Sequence, residues 1–428
     1  MNQKSRQLLD QLENAPVVIW GARMTGLGLV RLCRTNGIQV IGFIDSDPAF
    51  IGKLISGVTC HPPAHLRHLA SNYPGLKVVV AASTKGREII LQLIDEGFPP
   101  NAYIDYAEYC DLFYTVDVMG TCNLKCLSCP HGAEPEDIQR GQMSLNTFKQ
   151  VIDKIVAENE IVTHISLYSW GEPLLHPSLP EMVEYLHRKG IAAALSSNLS
   201  IKNEPLLHKV MQQDPEYLKV SLSGYYHDAY NATHQGGDIY LVRSNLVRLR
   251  HYINRHKLNT VVDVNYHMYR SNNRINVQKM QELCDELDFS LSKTYALIMP
   301  LERVISKLEG LPSSSTLALE NDLLVTVEEG IEAANRNSNS NQPCPFLENQ
   351  TIINWDLSVP VCCTTFNRGA NIVASNFLVS PHSEILTQKR QASICRTCTK
   401  HGLPNYNLGL NPGAWAKFAS EKTSLDRQ

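Results

Sequence analysis

Short apolar runs, each followed by an amphipathic stretch, recur along most of this chain. The first is Val17-Val18-Ile19-Trp20, which leads into a helical stretch ending at Arg34. Val40-Ile41-Gly42-Phe43-Ile44 and Lys77–Ser83 follow at the same rhythm. Strands alternating with helices predict an α/β unit with a parallel sheet over residues 1–110. From residue 114 the rhythm resumes, with strands expected at 114–119, 163–169, 191–196, 217–223 and 261–268, and a sixth near 293–299. Amphipathic helices such as 146–157 and 179–189 lie between them, a right-handed βα series.

Side chains alternate across a strand, so each run has two readable faces. Asp117, then Ser166 with Tyr168, Ser221 with Ser223, and Asp263, Asn265 and His267 share one face of their strands. Val118, Leu167, Val220, Leu222 and Val264 occupy the other. A purely structural lumen is filled by Val, Ile and Leu, so a polar one predicts a ligand pocket. Tyr168, Asp263 and His267 are candidate catalytic groups for moving protons; the plain alternative is that they hydrogen-bond within the lumen. Residues 308–343 read as a linker around one helix, bounded by Ser313-Ser314-Ser315 and the polar run Asn335–Asn341.

Composition narrows the class. The chain has 428 residues, 43% apolar, with a formal charge of −3. That length predicts two or three domains, and the near-neutral balance gives no electrostatic case for nucleic acid. The apolar runs are far short of the ~20 residues a membrane span needs. The opening residues lack the apolar core of a secretory signal. Twelve cysteines in such a chain predict a reducing, cytoplasmic setting and metal rather than disulfides.

The chemistry concentrates at Cys122-Asn123-Leu124-Lys125-Cys126-Leu127-Ser128-Cys129. Three thiolates on so short a loop, just after a strand and Gly120, can ligate three irons of a four-iron cube and leave the fourth open. A half zinc site is the competing reading, but zinc takes four ligands and this loop supplies three. Further on, Cys344, Cys362 or Cys363, Cys395 and Cys398 make a second set of four, suited to a second cube or to zinc. In the first third, Gly21-Ala22-Arg23-Met24-Thr25-Gly26 is an imperfect dinucleotide fingerprint, with Arg23 at its second Gly. Gly21, Arg23 and Asp45 are the candidate cofactor-binding residues there, with Arg23 on a phosphate and Asp45 on a ribose. The competing reading is a tight strand–helix turn that binds nothing.

The cysteine spacing, followed by Leu167-Tyr168-Ser169-Trp170-Gly171-Glu172-Pro173-Leu174-Leu175-His176-Pro177, resembles the radical S-adenosylmethionine superfamily, with Trp170 where a first Gly is usual. The resemblance implies a central partial (β/α)6, TIM-type barrel over 111–305, after a Rossmann-like domain over 1–110. It implies a linker helix over 306–340, a SPASM- or twitch-type cluster domain over 341–402, and a tail from 403 to 428. It further implies that Cys122, Cys126 and Cys129 hold a [4Fe-4S] cluster whose open iron binds S-adenosylmethionine. Gly171, Glu172, Pro173, Ser197, Asn198 and Ser221 would surround that cofactor. Leu199 stands where a Thr-Asn-Gly element ends in Gly, Leu357 replaces a common Gly beside Trp355-Asp356, and His234 is the candidate cation for the methionine carboxylate. Cys344, Cys362, Cys395 and Cys398 would hold one auxiliary [4Fe-4S] cluster.

The implied activity is reductive cleavage of S-adenosylmethionine to a 5′-deoxyadenosyl radical, fed by a flavodoxin- or ferredoxin-type reductant. Hydrogen abstraction from a small polar substrate follows, a sugar or nucleotide-linked sugar, with dehydrogenation or epimerisation as the outcome. Two alternatives stay open: a peptide- or protein-modifying maturase, and a non-catalytic iron–sulfur electron carrier.

Overall fold

The computed structural model describes residues 3–82, 85–110, 113–133, 138–159, 161–336 and 344–425. The Ser83 end of the third expected strand and the run Asn337-Ser338-Asn339-Ser340-Asn341 lie outside them. The first sheet contains β1 (Val17–Trp20), β2 (Val40–Ile44), β3 (Leu54–Ile55), β4 (Val58–His61), β5 (Lys77–Val80) and β6 (Tyr103–Asp105), in the order β3-β4-β2-β1-β5-β6. All its pairs are parallel except β3 with β4. Val17, Ile19 and Val79 pack into one core, and Val18, Trp20, Val78 and Val80 into another on the opposite face. Burial on both faces is what makes these strands read as unbroken apolar runs.

The second sheet contains β7 (Phe113–Val116), β8 (His164–Ser166), β9 (Ala192–Ser197), β10 (Tyr217–Leu222), β11 (Val261–Met268), β12 (Ser290–Tyr295) and β13 (Gln350–Ile353). Its order, β12-β11-β10-β9-β8-β7-β13, runs in sequence from β7 to β12 and adds β13 beside β7. The sixth strand begins earlier than the pattern at 293–299 suggested, because the apolar residues after Tyr295 belong to a different core.

In the first unit, helices α1 (Gln3–Leu12) and α2 (Met24–Thr35) flank β1 along the chain. The start of α2 enters the concave side of the second sheet. Met24 Sδ accepts from Ser166 Oγ at 3.6 Å and Tyr168 OH at 3.5 Å, while Arg23 Nη2 donates to Ser292 Oγ at 3.1 Å. In a flat sheet β8 and β12 would lie about 19 Å apart. Adjacent residues reach both only because the sheet curls around them. Packing there is close: a Cβ on Gly28 would stand 2.6 Å from the Thr163 carbonyl oxygen.

The C-terminal region departs from expectation. The segment read as a linker around one helix holds two, Ser314–Glu320 and Val327–Asn335, next to Leu301–Leu308. The expected tail is helical over Leu403–Asn407 and Pro412–Leu425. Trp415 is buried, stacked near Tyr406 and Tyr295 at 5.5 and 6.0 Å, so these segments share one apolar core. Six of the fourteen residues of Pro412–Leu425 are apolar, and Ala414, Trp415, Phe418 and Ala419 lie in this contact.

Candidate active site

The loop carrying Cys122, Cys126 and Cys129 is tied down on three sides. Lys125 and Leu127 donate backbone N–H bonds to the carbonyls of Gln235 (2.8 Å) and Thr233 (3.2 Å). The Glu172 N–H donates to the Thr121 carbonyl at 2.9 Å. Asn198 Nδ2 donates to Asn123 Oδ1 at 3.0 Å and points at Cys122 Sγ from 3.7 Å. Leu124 N–H reaches Cys122 Sγ at 3.4 Å, and the His131 N–H serves Cys129. Burial pushes all three thiols up, Cys122 to about 12 and Cys129 to about 11, so metal would have to displace their protons.

Residues of the second motif brace this loop. Gly171 is there because nothing larger fits: a Cβ would lie 1.4 Å from the Met119 carbonyl oxygen. Glu172 is buried, and its carboxylate accepts from the N–H groups of Leu174 (3.0 Å) and Asn198 (2.8 Å), with Ser197 adding a side-chain bond. Burial pushes Glu172 up to about 7. Asp117 sits beneath the same loop, accepting from the N–H groups of Ser169, Trp170 and Gly171, and burial lifts it to about 7 as well. Pro173 opens a short 3-10 turn, and Ser221 Oγ lies 3.3 Å from Ser196 Oγ. Trp170, at the place of the usual Gly, donates from Nε1 to the Thr365 carbonyl at 3.3 Å and meets the Phe366 ring edge-on. It joins the second sheet to the cysteine-rich C-terminal region.

Cys344, Cys362, Cys395 and Cys398 line one cavity of about 170 Å³ whose other walls are mainly apolar, Leu301, Val361 and Ile394 among them. Cys363 instead lines a larger cavity. Among the described residues no three such side chains crowd one point as a single ion demands. A cube spreads its ligands over several irons, and four thiols around one apolar space fit that group. Leu357 has φ +74° and Leu199 φ +56°, so the backbone at both positions keeps the conformation a Gly would take.

The larger cavity, about 420 Å³, runs from Trp170 along Tyr168 and Ser166 to Met24, with Gln350 and Cys363 on the C-terminal side. Three parts of the chain meet in its walls. Sequence reasoning gave Met24, Thr25, Gln350 and Cys363 no place in this cavity, because no motif signals a residue that enters a site from a distant part of the chain.

Several expected roles need correction. Arg23 reaches no open phosphate position: its guanidinium pairs with Asp47, approaches Asp263 at 3.6 Å and lies over the Phe50 ring. Asp45 is committed to the N–H groups of Ala22 (3.0 Å) and Asp47 (2.9 Å). Gly21, at φ +116°, and Gly26, where a Cβ would meet the Gly21 oxygen at 1.9 Å, make a tight strand–helix turn. Asp263 accepts from Tyr217 OH and faces Arg23, so it joins the two units rather than handling protons at a substrate. His234 is buried, its Nδ1 2.6 Å from Ser223 Oγ, and burial lowers it to about 3. It is neutral and supplies no cation. His267, lowered by burial to about 4, is likewise neutral, its ring centroid 6.1 Å from that of His234. Tyr168, Asp263 and His267 do not form one constellation; of the three, Tyr168 alone lines the 420 Å³ cavity.

No protein-family model matches the chain. It is 33% identical over 104 residues to the Fe-coproporphyrin III synthase of Methanosarcina barkeri, 24% of this chain and 25% of that one. With the AdoMet-dependent heme synthase of the same organism it shares 28% over 103 residues, 24% and 28% of the two chains. The chain thus spans about a quarter of the length of these relatives. A redox-sensing transcriptional repressor Rex of Chloroflexus aurantiacus is 27% identical over 108 residues, 24% of this chain and 50% of the repressor. Among solved structures, BtrN in complex with AdoMet and 2-DOIA aligns at TM-score 0.38 and 16% identity, covering 68% of this chain and 89% of that one. Native anSMEcpe with bound AdoMet aligns at 0.43 and 17%, covering 66% and 82%. The two Methanosarcina relatives bear out the resemblance to the radical S-adenosylmethionine superfamily drawn from the two motifs. Among the described residues, no helix is long and apolar enough to cross a membrane.

Proposed function

We propose that this chain is a radical S-adenosylmethionine enzyme with one auxiliary cluster, acting on a small uncharged polar molecule held between its three parts. The observation that carries the reading is the bracing of the three-cysteine loop by Glu172, Asn198 and the 233–235 turn at once. Cys122, Cys126 and Cys129 would hold the first cluster, and Cys344, Cys362, Cys395 and Cys398 the second. When bound and reduced by a flavodoxin- or ferredoxin-type donor, a cluster with S-adenosylmethionine on its open iron supplies a 5′-deoxyadenosyl radical.

The chain's own residues do the rest. We read the curled second sheet as the partial barrel and the first sheet as the Rossmann-like domain. Asp117 and Glu172 fix the 169–172 loop against the cysteines, while Trp170 seals the C-terminal region over it and keeps water out. The substrate site is the 420 Å³ cavity, a size suited to a small molecule. Its described lining includes no Lys, Arg, Asp or Glu, and His164 there is lowered by burial to about 4. Such walls favour a sugar or similar hydroxyl-bearing molecule over a nucleotide-linked sugar, whose phosphates call for cations. Tyr168, Ser166 and Gln350 would read its hydroxyls. We take dehydrogenation as the outcome, with Cys344, Cys362, Cys395 and Cys398 holding the group that would accept the substrate's second electron.

Anaerobic iron and sulfide counting with a dithionite-driven assay for 5′-deoxyadenosine tests the reading. About eight irons per chain and cleavage are expected. Full iron without cleavage would leave the electron-carrier alternative, and about four irons with zinc would reassign the second site.

A further inference from the structure

Helix His382–Gln391 carries a lysine, Lys389, that is 1% exposed. Its Nζ donates to the backbone carbonyls of Phe346, at 3.0 Å, and Gln350. Among the described residues no carboxylate forms an ion pair with it. Phe346 lies two residues after Cys344 and itself lines the 170 Å³ cavity, so the ammonium is anchored at the wall of that cavity. Glu348, whose carboxyl is lowered first by Arg390 and further by the Lys389 charge, is paired with Arg390 instead. A buried ammonium with no carboxylate in contact is strongly unfavourable unless a further anion belongs beside it. Cys344, Cys362, Cys395 and Cys398 line the same cavity. A four-iron cube on four thiolates is anionic, and net charge and burial set its potential.

We infer that Lys389 is the built-in counter-charge of the auxiliary cluster, a positioning residue that raises its reduction potential and so fits it to accept an electron. This rests on the two-cluster reading of the chain. Two carbonyls hold the ammonium in place, so the charge is fixed rather than mobile, and the apolar walls leave it little screening by water.

The full chain, reconstituted anaerobically, is compared with Lys389→Gln, which keeps an N–H donor and loses the charge, and with Lys389→Arg, which keeps the charge. Iron is counted first, and the auxiliary signal is then followed by redox titration with electron paramagnetic resonance. Lys389→Gln is expected to lower the midpoint by about 59 mV or more, a tenfold change for a one-electron couple, while Lys389→Arg stays near the parent. Loss of the second cluster from the Gln variant alone would equally support a need for charge. A Gln variant with full iron and the parent's midpoint would overturn the inference, as would loss of the cluster from both variants. A parent chain holding only the first cluster would instead overturn the two-cluster reading.

Discussion

Replacing Gly171 by Ala tests whether the second motif holds the cysteine loop in register. The added Cβ would lie 1.4 Å from the Met119 carbonyl oxygen, against a floor of 3.0 Å for real contacts. Both neighbours are backbone, so the two loops must part by about 1.6 Å, since no rotamer can absorb the clash. The Glu172 N–H bond to Thr121, now 2.9 Å, would then be lost. Overpacking costs about 1–3 kcal/mol, and the hydrogen bond adds about 1 kcal/mol. The sum is less than the ~5–15 kcal/mol that holds a domain folded. The variant should therefore fold and take up iron. A misplacement of about 1 Å can cost some 10²-fold in rate, so 5′-deoxyadenosine formation should fall by about that factor. Gly413→Ala, with nothing within 4 Å of the new Cβ, is the control and should leave cleavage unchanged. A Gly171→Ala enzyme with full iron and parental cleavage would refute the argument.

Trp170→Gly, which restores the residue usual in the motif, should destabilise the chain in urea by less than the ~3–5 kcal/mol of a fully buried Trp, because Trp170 is half-buried. Trp170→Phe, losing only the bond to Thr365, should cost about 1 kcal/mol. Leu199 and Leu357 sit at positive φ, a strain of about 1–2 kcal/mol each. Leu199 is fully buried, so Leu199→Gly should still lose about 2 kcal/mol net; half-buried Leu357→Gly should change the denaturation midpoint little. Burial raises Asp117 from 3.8 in the unfolded chain to about 7. The folded form thus keeps a proton that the unfolded form has released, and the stability from Asp117, complete below pH 4, declines as pH rises to 7. In urea titrations of the metal-free protein that decline should be up to about 4 kcal/mol, and Asp117→Asn should flatten it.

Much of this was readable because the signals were local. The strand runs at 17–20 and 40–44 are largely buried on both faces, so burial writes them into the sequence, while 217–222 shows in the alternation of Leu218, Val220 and Leu222 with the half-buried Lys219 and Ser221. The two Leu-for-Gly positions were legible in a subtler way. The expected glycines fixed a backbone conformation, and the structure keeps it with Leu at a strain cost. What stayed hidden depends on contacts between distant segments. β4 and β6 are short, with β4 alternating buried and exposed residues, a weak pattern. Trp415 and Phe418 belong to no motif, and the core they join forms only when Tyr295 and Tyr406 are brought beside Trp415. Arg23 was misassigned because its partner Asp263 lies in another sheet.

That last contact changes how the first sheet and its turn are read. A turn that resembles a dinucleotide fingerprint has its Arg and its Asp both engaged by protein groups, Arg23 with Asp47 and Asp263, Asp45 with backbone N–H donors. The next residue, Met24, is delivered to the wall of the 420 Å³ cavity beside Ser166 and Tyr168. A helix start with a charged network behind it and a thioether ahead of it is better suited to closing the concave side of the second sheet than to cradling a pyrophosphate. The polar faces of β8, β11 and β12 then have a physical cause. Some of their groups, Asp263 and Ser292 among them, bind the incoming Arg23, and the remainder is left for whatever occupies the cavity.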